Sequence, residues 1–286
     1  MTRHIYLNDR FVPETEALIS VFDRGFLFGD GVYEVSAVIG RRLVDNELHL
    51  ARLEYSLGEI GIPMPLEREA IAGIQAELVR RNRTEEGVVY LQVTRGVAER
   101  DFAYAPELVP TFVAFTQQRP VASAVSVREG VAVGIEPEQR WGRRDIKSVM
   151  LLAQVLAKRA VRARGFQEAW LVEDGYVTEG ASSTAYIVGT DGVLVSRPNS
   201  HSVLPGCTKA AILQIASEAG LRVDERLFTV EEAQVAREVF LTSASSIVTP
   251  VVRVEDATIG NGRPGELTMR LQQIYLELAM RGPALF

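Results

Sequence analysis

The sequence predicts an α+β fold in two domains, with mixed and antiparallel sheets flanked by helices. Hairpin signals recur: Ile5-Tyr6-Leu7 and Arg10-Phe11-Val12 flank Asn8-Asp9, residues 169–172 and 176–178 flank Asp174-Gly175, and residues 186–188 and 193–195 flank Asp191-Gly192. Turns of this chemistry join antiparallel neighbours, whereas a doubly wound sheet needs a helix between successive strands. Helical patterns separate groups of strands, and periodicity lapses across residues 117–124, where small residues surround Pro120.

After the first hairpin, residues 32–39, 88–95 and 111–115 read as strands. Leu50, Leu53, Leu57 and Ile60 share one helical face and His49, Arg52 and Ser56 another, so Arg52 projects away from the core side. Residues 69–82 form a second helix. The lapse suits an interdomain link, giving a smaller N-terminal domain at 1–119, a linker at 120–125 and a larger C-terminal domain at 126–286. There, Val149, Leu152, Val155 and Leu156 recur at helical spacing over 148–164, with Ser148 as N-cap and Gly165 as the stop. Two hairpins follow, then helices over 208–219, 231–237 and 266–280, the last with Leu267, Leu271, Ile274 and Leu278 on one face.

A chain of 286 residues that is 47% hydrophobic can bury cores for both domains. Its net charge of -6 and pI near 5.3 leave no overall basic excess to neutralise phosphates, which argues against nucleic acid as a partner. The opening residues lack a signal-like apolar core and no apolar run is long enough to cross a bilayer, so a cytoplasmic protein with no membrane partner is expected. One cysteine, Cys207, and three separated histidines offer no metal-ligand set.

Lys147, Lys158 and Lys209 are the only lysines, so chemistry that needs a primary amine has three candidates. Lys147 follows Arg140-Trp141-Gly142-Arg143-Arg144-Asp145-Ile146. A lysine attacks a carbonyl as the neutral amine, a form that nearby cations and burial favour, and Arg143 and Arg144 are the adjacent cations. On local sequence alone, Lys147 reads equally well as a surface lysine at a helix start. Gly206-Cys207-Thr208 precedes a helical pattern, so two amides and a hydroxyl can face an anion at the positive end of the helix. The spacing is not that of a P-loop, and Gly29-Asp30-Gly31 lacks the third glycine of a dinucleotide fingerprint. Glu179 follows a hairpin strand, where a glutamate is ordinarily a solvated edge charge.

Asp145-Ile146-Lys147-Ser148 followed by Thr178-Glu179-Gly180-Ala181-Ser182-Ser183 resembles the fold type IV pyridoxal-phosphate enzymes. The resemblance continues through Asp23-Arg24-Gly25, residues 28–34, His49-Leu50-Ala51-Arg52-Leu53, residues 92–96, residues 204–208 and Thr242-Ser243-Ala244-Ser245-Ser246, in the family's order. It implies an active site between the domains, with pyridoxal 5'-phosphate bound to Lys147, which would serve as nucleophile and then as general base. It assigns Glu179 to the pyridine nitrogen, Leu204 to one face of the ring, and Arg52, Cys207, Thr208, Ser243 and Ala244 to the phosphate. Tyr33 and Arg100 would bind the substrate carboxylate, Arg100 across a homodimer interface. Tyr33 alone also reads as a half-buried strand tyrosine, and Arg100 as a solvated loop arginine. Arg140 is a further candidate near the cofactor.

Within that family, residues 89–100 look most like D-amino acid aminotransferases, implying transfer of an amino group from D-alanine or D-glutamate to a 2-oxo acid. Three positions depart from the pattern: Phe102 stands in place of a histidine, Thr184 of an asparagine and Ala244 of a hydroxyl residue. A branched-chain L-amino acid aminotransferase is the next alternative, then an (R)-amine transaminase or aminodeoxychorismate lyase. The alternative from another class is a non-enzymatic anion-binding protein.

Overall fold

The computed structural model describes residues 2–286. Its contacts divide the chain into two units. The first runs to Pro120 and takes in Ile146–Met150 and Gly282–Phe286; the second comprises Val121–Asp145 and Leu151–Arg281.

In the first unit, β1 (His4–Leu7) and β2 (Arg10–Pro13) form the opening hairpin. A short helix α1 (Arg24–Phe28) leads into β3 (Gly31–Ile39) and β4 (Arg42–Leu43). Helices α2 (Asn46–Glu59) and α3 (Arg68–Arg81) follow, then β5 (Gly87–Thr94) and β6 (Thr111–Gln118). The six strands form a sheet in the order β2-β1-β6-β5-β3-β4, with every pair antiparallel. As the apolar spacing predicts, Leu50, Leu53 and Leu57 of α2 are buried, in one core with Ile71 and Leu78 of α3 and Val32, Leu91 and Phe112 of the sheet. Removing these side chains from water is the main drive for closing the helices onto the sheet.

The second unit starts with α4 (Val125–Glu129) and β7 (Val131–Pro137). Then come α5 (Leu152–Ala163), β8 (Glu168–Glu173), β9 (Tyr176–Gly180), β10 (Thr184–Val188) and β11 (Leu194–Ser196). Helix α6 (Cys207–Glu218), β12 (Val223–Glu225), α7 (Val230–Gln234), β13 (Glu238–Ser243), β14 (Ile247–Val254), β15 (Ala257–Thr258) and α8 (Glu266–Ala279) complete it. The sheet order is β12-β11-β10-β13-β14-β7-β8-β9, with β15 paired to β14. It is mixed: β7 lies parallel to both β14 and β8, and β11 parallel to β12. The β8–β9 turn has Asp174 at φ 52° and Gly175 at φ 84°, the two left-handed residues that suit a tight hairpin.

Three local expectations change. The 148–164 helix begins at Leu152, with Leu151 rather than Ser148 as N-cap. The preceding backbone is committed elsewhere: Tyr33 N donates to the Lys147 carbonyl at 3.0 Å, Val149 N to the Gly31 carbonyl at 3.1 Å, and Ser148 forms an antiparallel bridge with Val32. For the same reason Lys147 groups with the first unit, not with a continuous 126–286 domain. Finally, α8 buries Thr268, Leu271, Gln272 and Tyr275, while Leu278 is exposed. Its orientation follows polar anchors as well as leucines: Glu238 accepts from the Thr268 amide and hydroxyl at 2.8 and 2.9 Å, and Gln272 Nε2 donates to the Val127 and Val248 carbonyls at 2.9 and 2.8 Å.

Candidate active site

In the first unit, Lys147 is held by its backbone. Its amide donates to Ser56 Oγ at 3.2 Å and its carbonyl accepts from Tyr33, while Nζ stands 4.3 Å from the centroid of the Tyr33 ring. Tyr33 stacks on Tyr90 at 5.7 Å between centroids, and Tyr90 on Phe115 at 4.8 Å. The amine thus has a fixed attachment point and an aromatic neighbour whose π face attracts its ammonium form. The other lysines are engaged structurally. Lys158 pairs with Glu168 at 3.0 Å, and buried Lys209 reaches Glu225 at 2.9 Å and the Arg197 carbonyl at 2.6 Å.

Arg52 is oriented from below. Its Nε donates to Glu34 Oε1 at 2.7 Å and its Nη2 to Oε2 at 3.0 Å, while His49 Nδ1 lies 2.8 Å from the same carboxylate. Glu34 is wholly buried. Burial alone raises the proton affinity of its carboxyl, but Arg52 and His49 outweigh that and hold it far below the ordinary carboxylate value of 4.5. His49, Arg52 and Ser56 are therefore one polar stripe on α2, turned toward Glu34 and the Lys147 amide. The stripe is visible in the sequence. Glu34 was missed as its partner, although a charge inside the run Val32-Tyr33-Glu34-Val35 signals a buried pair.

Arg100 is exposed in the loop after β5, its guanidinium carbon 5.5 Å from the Phe28 ring centroid, and Phe102 beside it is 81% exposed.

In the second unit, Glu179 on β9 is buried and accepts from Arg140 Nη1 at 2.6 Å and from the Leu204 amide at 3.1 Å, both on Oε1. Leu204 therefore contributes a backbone donor. Desolvation raises the proton affinity of Glu179, only partly opposed by Arg140. Arg140 also binds Glu138 at 2.6 Å, and Glu138 accepts from Thr178 Oγ1 at 2.8 Å. Glu138 is a further member of this buried network that sequence reasoning did not find. The supposed cations next to Lys147 are compensated: Arg143 makes a two-bond pair with Asp145, and Arg144 with Glu173. They are thus not bare charges available to act on the amine.

Helix α6 begins at Cys207 with Gly206 as N-cap, a residue with no side chain to cap the first turn. Cys207 and Thr208 are buried there. A Cβ built on Gly206 would come within 2.9 Å of Thr184 Oγ1, so the threonine found in place of asparagine lies against this helix start. Thr184 is in register with Thr242, the residue before Ser243. Ser243 Oγ lies 2.7 Å from Ser246 Oγ across the turn that contains Ala244. Ile247 closes that turn at φ 46°, a strained conformation for a β-branched residue.

Residues 31–254 match the model of amino-transferase class IV. The chain belongs to the class IV aminotransferases. It is 38% identical over 270 residues to the D-alanine aminotransferase of Bacillus licheniformis, covering 94% of each protein. The D-alanine aminotransferase of Staphylococcus aureus (strain MSSA476) is also 38% identical, over 272 residues, 94% of this chain and 95% of that one. Among solved structures, the T.th. branched-chain amino acid aminotransferase with pyridoxamine 5'-phosphate superposes with a TM-score of 0.87 at 26% identity, covering 99% of this chain and 96% of that one. The branched-chain enzyme of Escherichia coli gives a TM-score of 0.87 at 23% identity, over 97% and 95% of the two chains, and shares the fold.

Class IV aminotransferases use pyridoxal 5'-phosphate, and the residues fit it. The start of α6 and the Ser243 turn supply amides and hydroxyls suited to a phosphate, and the cradle at Gly206 has no space for a side chain. Glu179 supplies a buried acid suited to a pyridine nitrogen.

Glu34 generates a stability test. Because its folded proton affinity is depressed, the unfolded chain binds the extra proton below about pH 4.5, and the stabilisation is lost as pH falls toward the folded value. Glu34→Gln should cost about 3 to 5 kcal/mol at pH 7, since it strands Arg52 in a buried position. In urea melts, the gap between wild type and variant should then narrow by about 1.4 kcal/mol per pH unit below about 4.5. A gap that stays constant with pH would remove Glu34 as the counter-ion.

Proposed function

We propose that this protein is a pyridoxal-phosphate-dependent D-amino acid aminotransferase, moving an amino group from D-alanine or D-glutamate to a 2-oxo acid. The observation that carries the reading is 38% identity to D-alanine aminotransferases along nearly the whole chain, which exceeds its 26% identity to the T.th. branched-chain enzyme. The branched-chain reading stays second, favoured by the close superposition of those structures.

The cofactor supplies an electron sink for the pair released when a bond at the substrate Cα breaks. Lys147 is assigned to bind its aldehyde carbon and then to carry the proton between Cα and C4'. Glu179 is assigned to keep the pyridine nitrogen protonated. Its Oε1 already accepts from Arg140 and Leu204, which fixes the carboxyl's orientation and leaves Oε2 for the ring. Cys207 and Ala244 through their amides, Thr208 and Ser243 through amide and hydroxyl, and Arg52 through its guanidinium are assigned to the phosphate, with Leu204 against the ring. Tyr33 and Arg100 are assigned to the substrate carboxylate. A cytoplasmic homodimer completes the reading. The homodimer is supported by the apolar surface that each unit leaves exposed: Phe26, Phe102 and Val109 in the first, Leu152, Val155 and Leu156 in the second.

Borohydride reduction of the cofactor-loaded enzyme and peptide mapping should place the adduct on Lys147; an adduct on Lys158 or Lys209 would refute the assignment. Glu179→Gln should retain the cofactor yet slow proton abstraction in single turnovers, because the electron sink is weakened as negative charge develops. An unchanged rate removes Glu179 from the chemistry.

D-Alanine should convert the bound cofactor much faster than L-alanine, with L-leucine poor. Arg100→Ala should lose about 1.5 to 3 kcal/mol of transition-state stabilisation with D-alanine, roughly ten- to more than a hundredfold in rate. A wild-type preference for L-leucine would favour the branched-chain reading, and an unimpaired Arg100→Ala enzyme would mean that the carboxylate is held elsewhere.

A further inference from the structure

The loop of residues 95–110 between β5 and β6 is long for a connection inside a compact unit, and such loops are ordinarily functional or specifically held. This one is held next to Arg100. Arg24, only 4% exposed, donates from Nη1 to the Asp101 carbonyl at 2.6 Å and from Nη2 to the Phe102 carbonyl at 3.4 Å, the two carbonyls that follow Arg100. Its Nε donates to Asp30 Oδ2 at 2.9 Å, and Arg95 Nε donates to the same oxygen at 2.8 Å.

One carboxylate between two guanidinium groups leaves the cluster with surplus positive charge. Tyr104, from the same loop, presents its ring face to both, with its centroid 4.8 Å from the Arg24 guanidinium carbon and 4.1 Å from that of Arg95. An aromatic face attracts cations through its quadrupole, so the ring offsets part of that surplus and ties the far side of the loop to the cluster. Arg95 extends the tie to the end of α2, donating to the Ile60 and Gly61 carbonyls at 2.6 and 3.0 Å. The Phe28 ring serves Arg24 at 4.7 Å and Arg100 at 5.5 Å, so the clamp and Arg100 share a support.

We propose that Arg24, braced by Asp30, Arg95 and Tyr104, is a positioning residue that fixes the loop around Arg100 and thereby sets the enzyme's grip on the substrate carboxylate. The last clause rests on the proposed role of Arg100; the loop clamp itself does not.

Tyr104 is 45% exposed, so Tyr104→Ala removes the ring without emptying a core. The variant should raise KM for D-alanine about three- to tenfold with kcat within about twofold, the size of effect expected from losing cation–π contacts that act on binding. Amide hydrogen exchange over residues 97–104 should accelerate. Tyr104→Phe, which keeps the ring, should match wild type in both measurements. In an Arg100→Ala background, Tyr104→Ala should add nothing to KM, since the residue through which it acts is gone.

Wild-type KM and wild-type exchange in Tyr104→Ala would overturn the clamp. A full KM increment that persists without Arg100 would overturn its action through Arg100. If Arg100→Ala alone leaves KM unchanged, the carboxylate role of Arg100 fails and takes the grip with it, and the exchange rates still decide whether the loop is clamped.

Discussion

The backbone pairing between the start of β3 and residues 147–149 is the constraint on which the placement of Lys147 depends. Hydrogen bonds on either side of the Val32–Ser148 bridge spend the amides and carbonyls that would otherwise have begun helix α5. With Ser56 holding its amide and Tyr33 its carbonyl, Lys147 has a rigid pivot at Cα and a long, adjustable stem. The role proposed for Lys147, first nucleophile and then proton carrier, needs that combination: the base of the side chain must not drift, yet its tip must reach two positions.

Each unit handles buried charge in its own way. In the first, a fully buried carboxylate orients a more peripheral arginine, Arg52, and the ion pair is tolerable because both carboxylate oxygens accept hydrogen bonds. In the second, arginines orient carboxylates. Arg140 lies between Glu138 and Glu179, and Arg144 carries the alternation on to Glu173. Such networks are costly to half-build, since losing one member strands its neighbours away from water. Glu179 is the member in which burial still prevails, raising its proton affinity despite Arg140.

Much of this was legible in the sequence. The Asp174-Gly175 hairpin, the apolar face of α2 and the loss of periodicity near Pro120 are local signals, and local backbone preference decides them. The helix start after Lys147 was not legible, because the competing partner, the edge of β3, lies more than a hundred residues earlier. The same holds for Glu34 beneath Arg52 and Glu138 beside Arg140: the residue types can be read, but which buried charge meets which is fixed by tertiary packing. The orientation of α8 was not legible for a related reason, since leucine spacing says nothing of the Glu238 and Gln272 bonds that anchor it. At the site, the Gly206-Cys207-Thr208 helix start was legible from turn chemistry, whereas Leu204 acts on Glu179 through its amide, a contact no side-chain pattern records.

The first unit is not a continuous piece of chain. Its core includes Ile146, which is synthesised only after Val121–Asp145 of the second unit, and packs against the partly buried Leu285, which follows nearly all of that unit. On the ribosome, where segments emerge in order, the six-stranded sheet can form early but must wait for its last strip of backbone and its closing tail. The stretch that arrives late to β3 is the one bearing Lys147. Lys147 is therefore set in place only once the chain has come back to its starting unit, so that closing the fold and placing this lysine become the same event.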